Sequence, residues 1–303
     1  MAVVPLLVKP LAAGILAFLI LIGALAILRS AGTAATPPDD RPRVVVLSPA
    51  LGASMRDLGF AHLVVGRHQW DRSLPQTIPV CGDQAAIDYE ALVSVSPTVV
   101  LTQWGARELP GAFRELVNER GWEHHDLSAL ALDEVAGSIG RLDTLMRAHT
   151  TPEAARIMGE DAERWFRGEL SRRVDTPTGP VLMLGATGPF FAFGPGSFHH
   201  EILLSIGGVA AVSSGPAWVG LGHEDILAMN PWGIVLVIPG ADEGSDPAAL
   251  LGRMSSSTLG AVASGRVALI GDSEAHLPGT PMARFAGRLR GILSEWTPEQ
   301  GER

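Results

Sequence analysis

The feature that most constrains the fold is a unit that occurs twice. One copy reads YEALVSVSPTVVL from Tyr89, and the other reads HEDILAMNPWGIVLV from His223. In each, a glutamate (Glu90 or Glu224) opens a short helical pattern. A proline (Pro97 or Pro231) follows at the same spacing and ends it, and an apolar strand comes next. The same alternation runs around both copies. Apolar, β-branched runs at 43–47, 63–66, 98–102 and 122–126 read as strands, separated by helical patterns at 52–58, 87–95 and 108–120. A long helical stretch covers 133–173. The pattern then restarts, with strands at 180–184, 234–238 and 267–270 and helices at 197–206, 223–229 and 281–293. Strands that alternate with helices pair mainly in parallel, because a parallel neighbour needs a crossover connection.

The expected architecture is therefore α/β. It has two Rossmann-like lobes with mainly parallel sheets, at 43–145 and 178–297, joined by a long connecting helix at 146–175. Ligands bind such sheets beyond the carboxyl ends of their strands, which puts the site in a cleft between the lobes. Residues 1–36 stand apart. The run LAAGILAFLILIGALAIL at 11–28 is uninterrupted, flanked by Lys9 and Arg29, and long enough to span a bilayer. It reads as a transmembrane signal-anchor, with cleavage after Ala35 as the alternative, and it implies that the body is exported. No cysteine directly follows the run, which excludes lipoprotein processing. The net charge is −9, and such an acidic body argues against nucleic-acid binding; Lys9 is the only lysine, and the other basic residues are arginines. The single cysteine, Cys81, cannot form an intrachain disulfide.

Catalytic signatures are missing. The chain has no G-x-S-x-G, no P-loop and no dinucleotide fingerprint. Gly194-Pro195-Gly196 lacks the lysine of a phosphate loop, and Ser273 with His276 is too little for a hydrolase. His124-His125 and His199-His200 are adjacent pairs whose rings diverge on a strand or a helix, so no metal site is expected.

The order and spacing of several motifs resemble the class III periplasmic binding proteins, the cobalamin, ferric-siderophore and haem receptors of ABC importers. The matching residues are Ser48-Pro49, Leu58-Gly59, Val65-Gly66, the paired Glu90…Pro97 and Glu224…Pro231 units, Gly194-Pro195-Gly196-Ser197-Phe198 and Asn230-Pro231. The resemblance runs from about Arg43 to Trp296. It departs where Thr98 and Trp232 replace an aspartate and where Cys81-Gly82 replaces a double glycine.

The resemblance implies a binding protein rather than an enzyme, working with permease and ATPase subunits and held in the periplasm or outside the inner membrane by its N-terminal helix. It implies that Glu90 and Glu224 dock on permease arginines. A carboxylate near a helix start is also favoured by the helix dipole alone. Trp70, Trp104, Phe190, Phe191 and Trp218 fall where strand-end loops should face the cleft, and their flat rings suit a macrocycle. His68 and His276 fall in such loops too and can hydrogen-bond a ligand or meet its metal. The expected cargo is a cobalamin-like corrinoid or a ferric siderophore. Cobalt or iron would belong to that ligand, and no cofactor of the protein's own is expected. The alternatives are a membrane-anchored enzyme, a metal- or tetrapyrrole-handling protein, or a ligand sensor on the same two-lobed fold.

Overall fold

The computed structural model describes residues 41–83, 86–105, 107–150, 161–174, 179–256 and 258–296. The first sheet contains β1 (Val44–Val46), β2 (Val64–Arg67), β3 (Val99–Thr102) and β4 (Glu123–Asp126) in the order β2-β1-β3-β4, with every pairing parallel. The crossovers carry α1 (Pro49–Asp57), α2 (Tyr89–Ser94) and α3 (Gly111–Arg120). Local chemistry sets their ends. The Ser48 hydroxyl accepts from the Leu51 amide with Pro49 in the first turn, Asp88 caps α2 through the Ala91 amide, and Gly121 closes α3 at φ 65°.

After α4 (Leu132–Arg147) and α5 (Ala162–Ser171), the second sheet contains β5 (Pro180–Thr187), β6 (Phe190–Phe193), β7 (Val209–Ala210), β8 (Trp218–Leu221), β9 (Gly233–Val237) and β10 (Val267–Ile270). The order is β10-β9-β5-β6-β8, with β7 also on β5. The β10–β9, β9–β5 and β5–β7 pairings are parallel, but β5–β6 and β6–β8 are antiparallel. Three of these five pairings are parallel, as expected, and the antiparallel strands β6 and β8 are the addition that the sequence reading did not include. Gly188-Pro189 turns the chain back directly, pairing Thr187 with Phe190, and leaves no room for a crossover helix. The remaining helices are α6 (Phe198–Ser205), α7 (His223–Met229), α8 (Gly260–Ala263) and α9 (Pro281–Glu295).

The connection between the sheets is not one long helix. The helix α4 reaches its cap at Ala148, and α5 packs antiparallel against it, with Glu163 beside Gly140 and Arg167 paired with Asp133. Residues 151–160 of the expected connecting helix lie outside the described residues. So do the apolar run at 11–28 and the cleavage position after Ala35. Among the described residues, no helix is long and apolar enough to cross a membrane.

Strand alternation divides the core into three layers. Val45, Leu47 and Val100 pack outward against Leu92, Phe113 and Val117. Leu182, Leu184, Ile234 and Leu236 pack outward against Ile226, Leu251 and Met254. The opposite faces, Val44, Val46, Val99 and Leu101 on one sheet and Val181, Met183, Val235 and Val237 on the other, share one central core. Met55, Ile139, Leu142, Phe166, Ile202, Leu203, Phe285 and Leu289 from the helices between them fill it.

Charged groups close this central layer where α1 meets α9 and the loop after β10. Arg56 donates to Glu274 at 2.5 and 2.9 Å and to Asp57 at 2.8 Å. Arg284 donates to Asp57 at 2.5 Å and also to Glu274. Asp57, almost wholly buried, further accepts from the Thr280 hydroxyl at 2.8 Å. Gln103 extends the contact by accepting from the Ser48 hydroxyl at 2.6 Å and donating to the Pro278 carbonyl at 3.2 Å.

Close packing also explains Gly52 inside α1. A Cβ there would overlap the buried Asp71 carboxylate and approach Leu74 to 3.2 Å. Helix propensity alone favours alanine over glycine by about 1 kcal/mol, but overpacking costs about 1–3 kcal/mol. Gly52→Ala is expected to lower the melting temperature, by about 2–4 °C per kcal/mol. A rise in thermal unfolding temperature would contradict this account of the α1 contact.

Candidate functional site

A cavity of about 280 Å³ lies between the sheets at the carboxyl ends of their strands. Pro49 follows β1, Trp70, Arg72 and Ser73 follow β2, Pro239 and Gly240 follow β9, and Ser273, Glu274 and Leu277 follow β10. Both lobes therefore build its wall, as expected for a ligand crevice in open α/β sheets. Larger hollows of about 490 and 740 Å³ run along the surfaces of α4 and α5, the first of them reaching His125 and Leu127 at the end of β4.

Trp70 is 65% exposed on a loop held from beneath. The buried Arg67 guanidinium donates to the carbonyls of Ile78 at 3.1 Å, His68 at 3.2 Å and Asp71 at 3.3 Å. His68 is also buried, and its Nδ1 accepts from the Trp70 amide at 3.1 Å. Burial pushes its pKa down against the opposing pull of Asp83 and Asp71. His68 thus braces the loop, and only Trp70 of the two lines the cavity.

Trp104 is 7% exposed. Its indole nitrogen donates to the Glu108 carbonyl at 3.0 Å, and the Arg107 guanidinium covers the ring at 4.8 Å. Asp126 holds this turn by accepting from the Trp104 amide at 2.7 Å, the Thr102 hydroxyl at 2.7 Å and the Ser128 hydroxyl at 2.6 Å. The arrangement makes Trp104 part of a packed wall.

The remaining aromatics lie on strands rather than in loops. Phe190 is buried, edge-on to His223 at 5.2 Å. Its neighbour Phe191 points to the opposite face and is 40% exposed. Phe193 and Trp218 pair directly across β6 and β8, their rings 4.8 Å apart, and Trp218 is 50% exposed. Gly185 on β5 makes room for both, since a Cβ there would meet Trp218 at 2.8 Å and Phe193 at 3.0 Å.

Behind this pair, His199 stacks on Phe193 at 4.0 Å, and His276 meets His199 at 5.0 Å and Trp218 at 6.3 Å. Trp218 and His276 thus come together, while Trp70 and Trp104 belong to separate loops. Phe193, Arg67 and Gln103 escaped the sequence reading, and His199 entered it only as half of an adjacent histidine pair. No spacing rule marks them, because their roles come from contacts across the fold.

Glu90 and Glu224 are both exposed in the first turns of α2 and α7. Each helix leads into an inner strand of its sheet, β3 or β9, and neither carboxylate pairs with a described residue. His124 bonds Thr102 at 3.0 Å and His125 bonds Glu123 at 2.7 Å, so the two rings serve different partners. Among the described residues, no group of three or more His, Cys, Asp or Glu side chains could hold a metal ion.

This chain has the fold of the class III periplasmic solute-binding proteins. It is similar to the periplasmic vitamin B12 binding protein BtuF of Vibrio cholerae, with 16% identity, TM-score 0.61, and coverage of 85% of this chain and 98% of that one. It is likewise similar to the periplasmic heme binding protein HutB of Vibrio cholerae, with 17% identity, TM-score 0.65, and coverage of 83% and 98%. An ABC transporter substrate-binding protein from Listeria monocytogenes aligns at 16% identity and TM-score 0.58, with coverage of 84% and 99%. No family model and no curated protein matches the amino-acid sequence.

Burial, with a smaller effect from His276, pushes His199 down from 6.5 to about 3, although its bond to the Ala275 carbonyl favours the proton. The native chain therefore stays unprotonated at His199 where the unfolded chain takes up a proton. The stability tied to this neutral ring is complete above pH 6.5 and declines as pH falls toward 3. In denaturant unfolding across that window, His199→Leu is expected to reduce the slope by about one proton, or about 1.4 kcal/mol per pH unit. An unchanged slope would place the titration elsewhere.

Proposed function

We propose that this protein is the substrate-binding component of an ABC importer. It captures a cobalamin-like corrinoid or a ferric siderophore outside the inner membrane and delivers it to the permease without altering it chemically. The observation that carries this reading is the cavity at the strand ends, built from both lobes and walled by Trp70, Arg72 and Ser73 on one side and Pro239, Ser273 and Leu277 on the other. At about 280 Å³ it can grip one edge of a large chelate rather than enclose it. Exposed Phe191 and Trp218 add flat apolar surface that holds a macrocycle without charge. Similarity to proteins described as vitamin B12 binding, heme binding and ABC transporter substrate-binding supports the same reading. Exposed Glu90 and Glu224, one per lobe, suit a two-point key for arginine sockets on the permease.

Calorimetric titration of the full-length protein in detergent with cyanocobalamin, a ferric hydroxamate siderophore and haemin tests the capture. One probe is expected to bind at micromolar affinity or better, and Trp70→Ala or Trp218→Ala is expected to weaken it about tenfold, about 1.4 kcal/mol. A folded sample that binds none of the three overturns the proposed cargo class. For delivery, Glu90→Arg with Glu224→Arg is expected to reduce cellular uptake at least about tenfold with binding unchanged. Undiminished uptake would rule out docking through these carboxylates.

A further inference from the structure

The hollow of about 740 Å³ over α4, α5 and α6 shares no lining residue with the cleft cavity. Its apolar floor is made by Leu132 and Ala136 of α4 and Leu170 of α5. Three exposed guanidinium groups stand around it, those of Arg164, Arg167 and Arg173. The whole chain carries −9, so this concentration of arginine runs against its composition.

Sequence spacing sets the arrangement. Arg164, Arg167, Gly168 and Ser171 fall at i, i+3, i+4 and i+7, which is one face of α5. Gly168 keeps that face open, since a Cβ there would meet nothing within 4 Å. Arg173 follows α5 and lies against Gly207, where a Cβ would stand 3.2 Å from the guanidinium. A side chain at either glycine would intrude on the hollow or on the arginine beside it.

The charges in the lining do not cancel. It holds two carboxylates, Asp133 and Glu201, against the three arginines. Asp133 and Glu163 both pair with Arg167, and Glu201 accepts from the Leu132 amide at 3.2 Å. Arg164 has only a long contact with Asp161, at 3.9 Å. The Arg173 guanidinium pairs with no described residue. One positive charge is therefore left over, and it sits at Arg173.

Size and charge together define what fits. Small organic ligands occupy pockets of about 300–1,000 Å³, far more than a bare inorganic anion fills. A guanidinium binds a carboxylate through two parallel hydrogen bonds. A phosphate monoester brings about −1.5 to −2 charges, more than the single excess charge here can balance. We propose that this hollow is a second ligand site, separate from the cleft, for a small organic monocarboxylate. The carboxylate pairs with Arg173 in the field of Arg164, and the apolar body of the ligand covers Leu132, Ala136 and Leu170. Such a ligand touches α4, α5 and α6 at once and leaves the cleft open to its own cargo.

The test uses the full-length protein in detergent with benzophenone carboxylate, an aryl monocarboxylate that crosslinks on illumination. The uncharged benzophenone carboxamide and acetate serve as comparisons. Calorimetry reads affinity, and mass spectrometry of the illuminated protein locates the label. The carboxylate is expected to bind and to label 132–136, 164–173 or 201–205, with the carboxamide and acetate at least about tenfold weaker. Arg173→Glu is expected to weaken it at least about tenfold and remove the label, while Arg173→Lys, which keeps the charge, stays within about threefold. Both variants change an exposed side chain outside the cleft, so cargo titrations with cyanocobalamin, a ferric hydroxamate siderophore and haemin should be unchanged in them. A carboxylate that fails to bind the folded protein, labels only the cleft loops or binds Arg173→Glu equally well overturns the second site and leaves the capture reading standing. Equal binding of the carboxamide overturns selection by charge, and equal binding of acetate overturns the role of the apolar floor.

Discussion

The ion-pair cluster of Arg56, Asp57, Glu274 and Arg284 is the constraint on which the cleft depends. Two guanidinium groups meet the carboxylates of Asp57 and Glu274 where α1 faces α9 and the loop after β10, with Asp272 3.9 Å from Arg284 at the edge, so each of the buried charges is balanced by an opposite one. Balance is required because Asp57 is almost wholly buried, and an unpaired charge there would cost about 3–5 kcal/mol. Burial alone would raise Glu274, but the hydrogen bond from Arg56 and the charges of Arg56 and Arg284 outweigh it and keep its pKa below the ordinary carboxylate value. Glu274 therefore remains an anion in the same loop that walls the cavity. A single side chain couples the fixed position of the lobes to the shape of the site.

The shared core reinforces that coupling. Both sheets turn one face inward onto the same helices, so separating the lobes would expose Met55, Phe166, Phe285 and Leu289 to water. A cleft built this way is largely formed before any ligand arrives, and preorganisation reduces the ordering required on association. The loops follow the same logic. Arg67 and His68 hold Trp70 from beneath, and Asp126 holds the turn of Trp104, so polar groups beneath the surface position the apolar groups on it.

Much of the fold was legible in the sequence. The Glu90…Pro97 and Glu224…Pro231 units correspond to α2 with β3 and α7 with β9, and the valine-rich runs became β1, β3, β5 and β9. Two features were not legible. Phe190–Phe193 and Trp218–Leu221 are too short for period to distinguish a strand from a loop, and the antiparallel pairing of β6 with β5 follows from the Gly188-Pro189 reversal. The ion-pair cluster joins Arg56 to Glu274 across 218 positions, a relation no local spacing encodes. The same limit applies to the site. Trp70 and Trp218 could be picked out by residue type, but the depth of Trp104 and Phe190 depends on contacts between distant segments.

The most direct measurement is the distance between the lobes in solution, by pulsed electron resonance on spin labels at Glu119→Cys and Ala263→Cys. Both positions are exposed, one at the end of α3 and the other on α8, and the native Cys81 is buried with its thiol pushed up to about 11, which keeps it unreactive. A single narrow distance distribution is expected for the native protein, and Glu274→Gln is expected to broaden it. A native distribution that is already broad, or one that Glu274→Gln leaves unchanged, would contradict the claim that this ion-pair cluster sets the cleft.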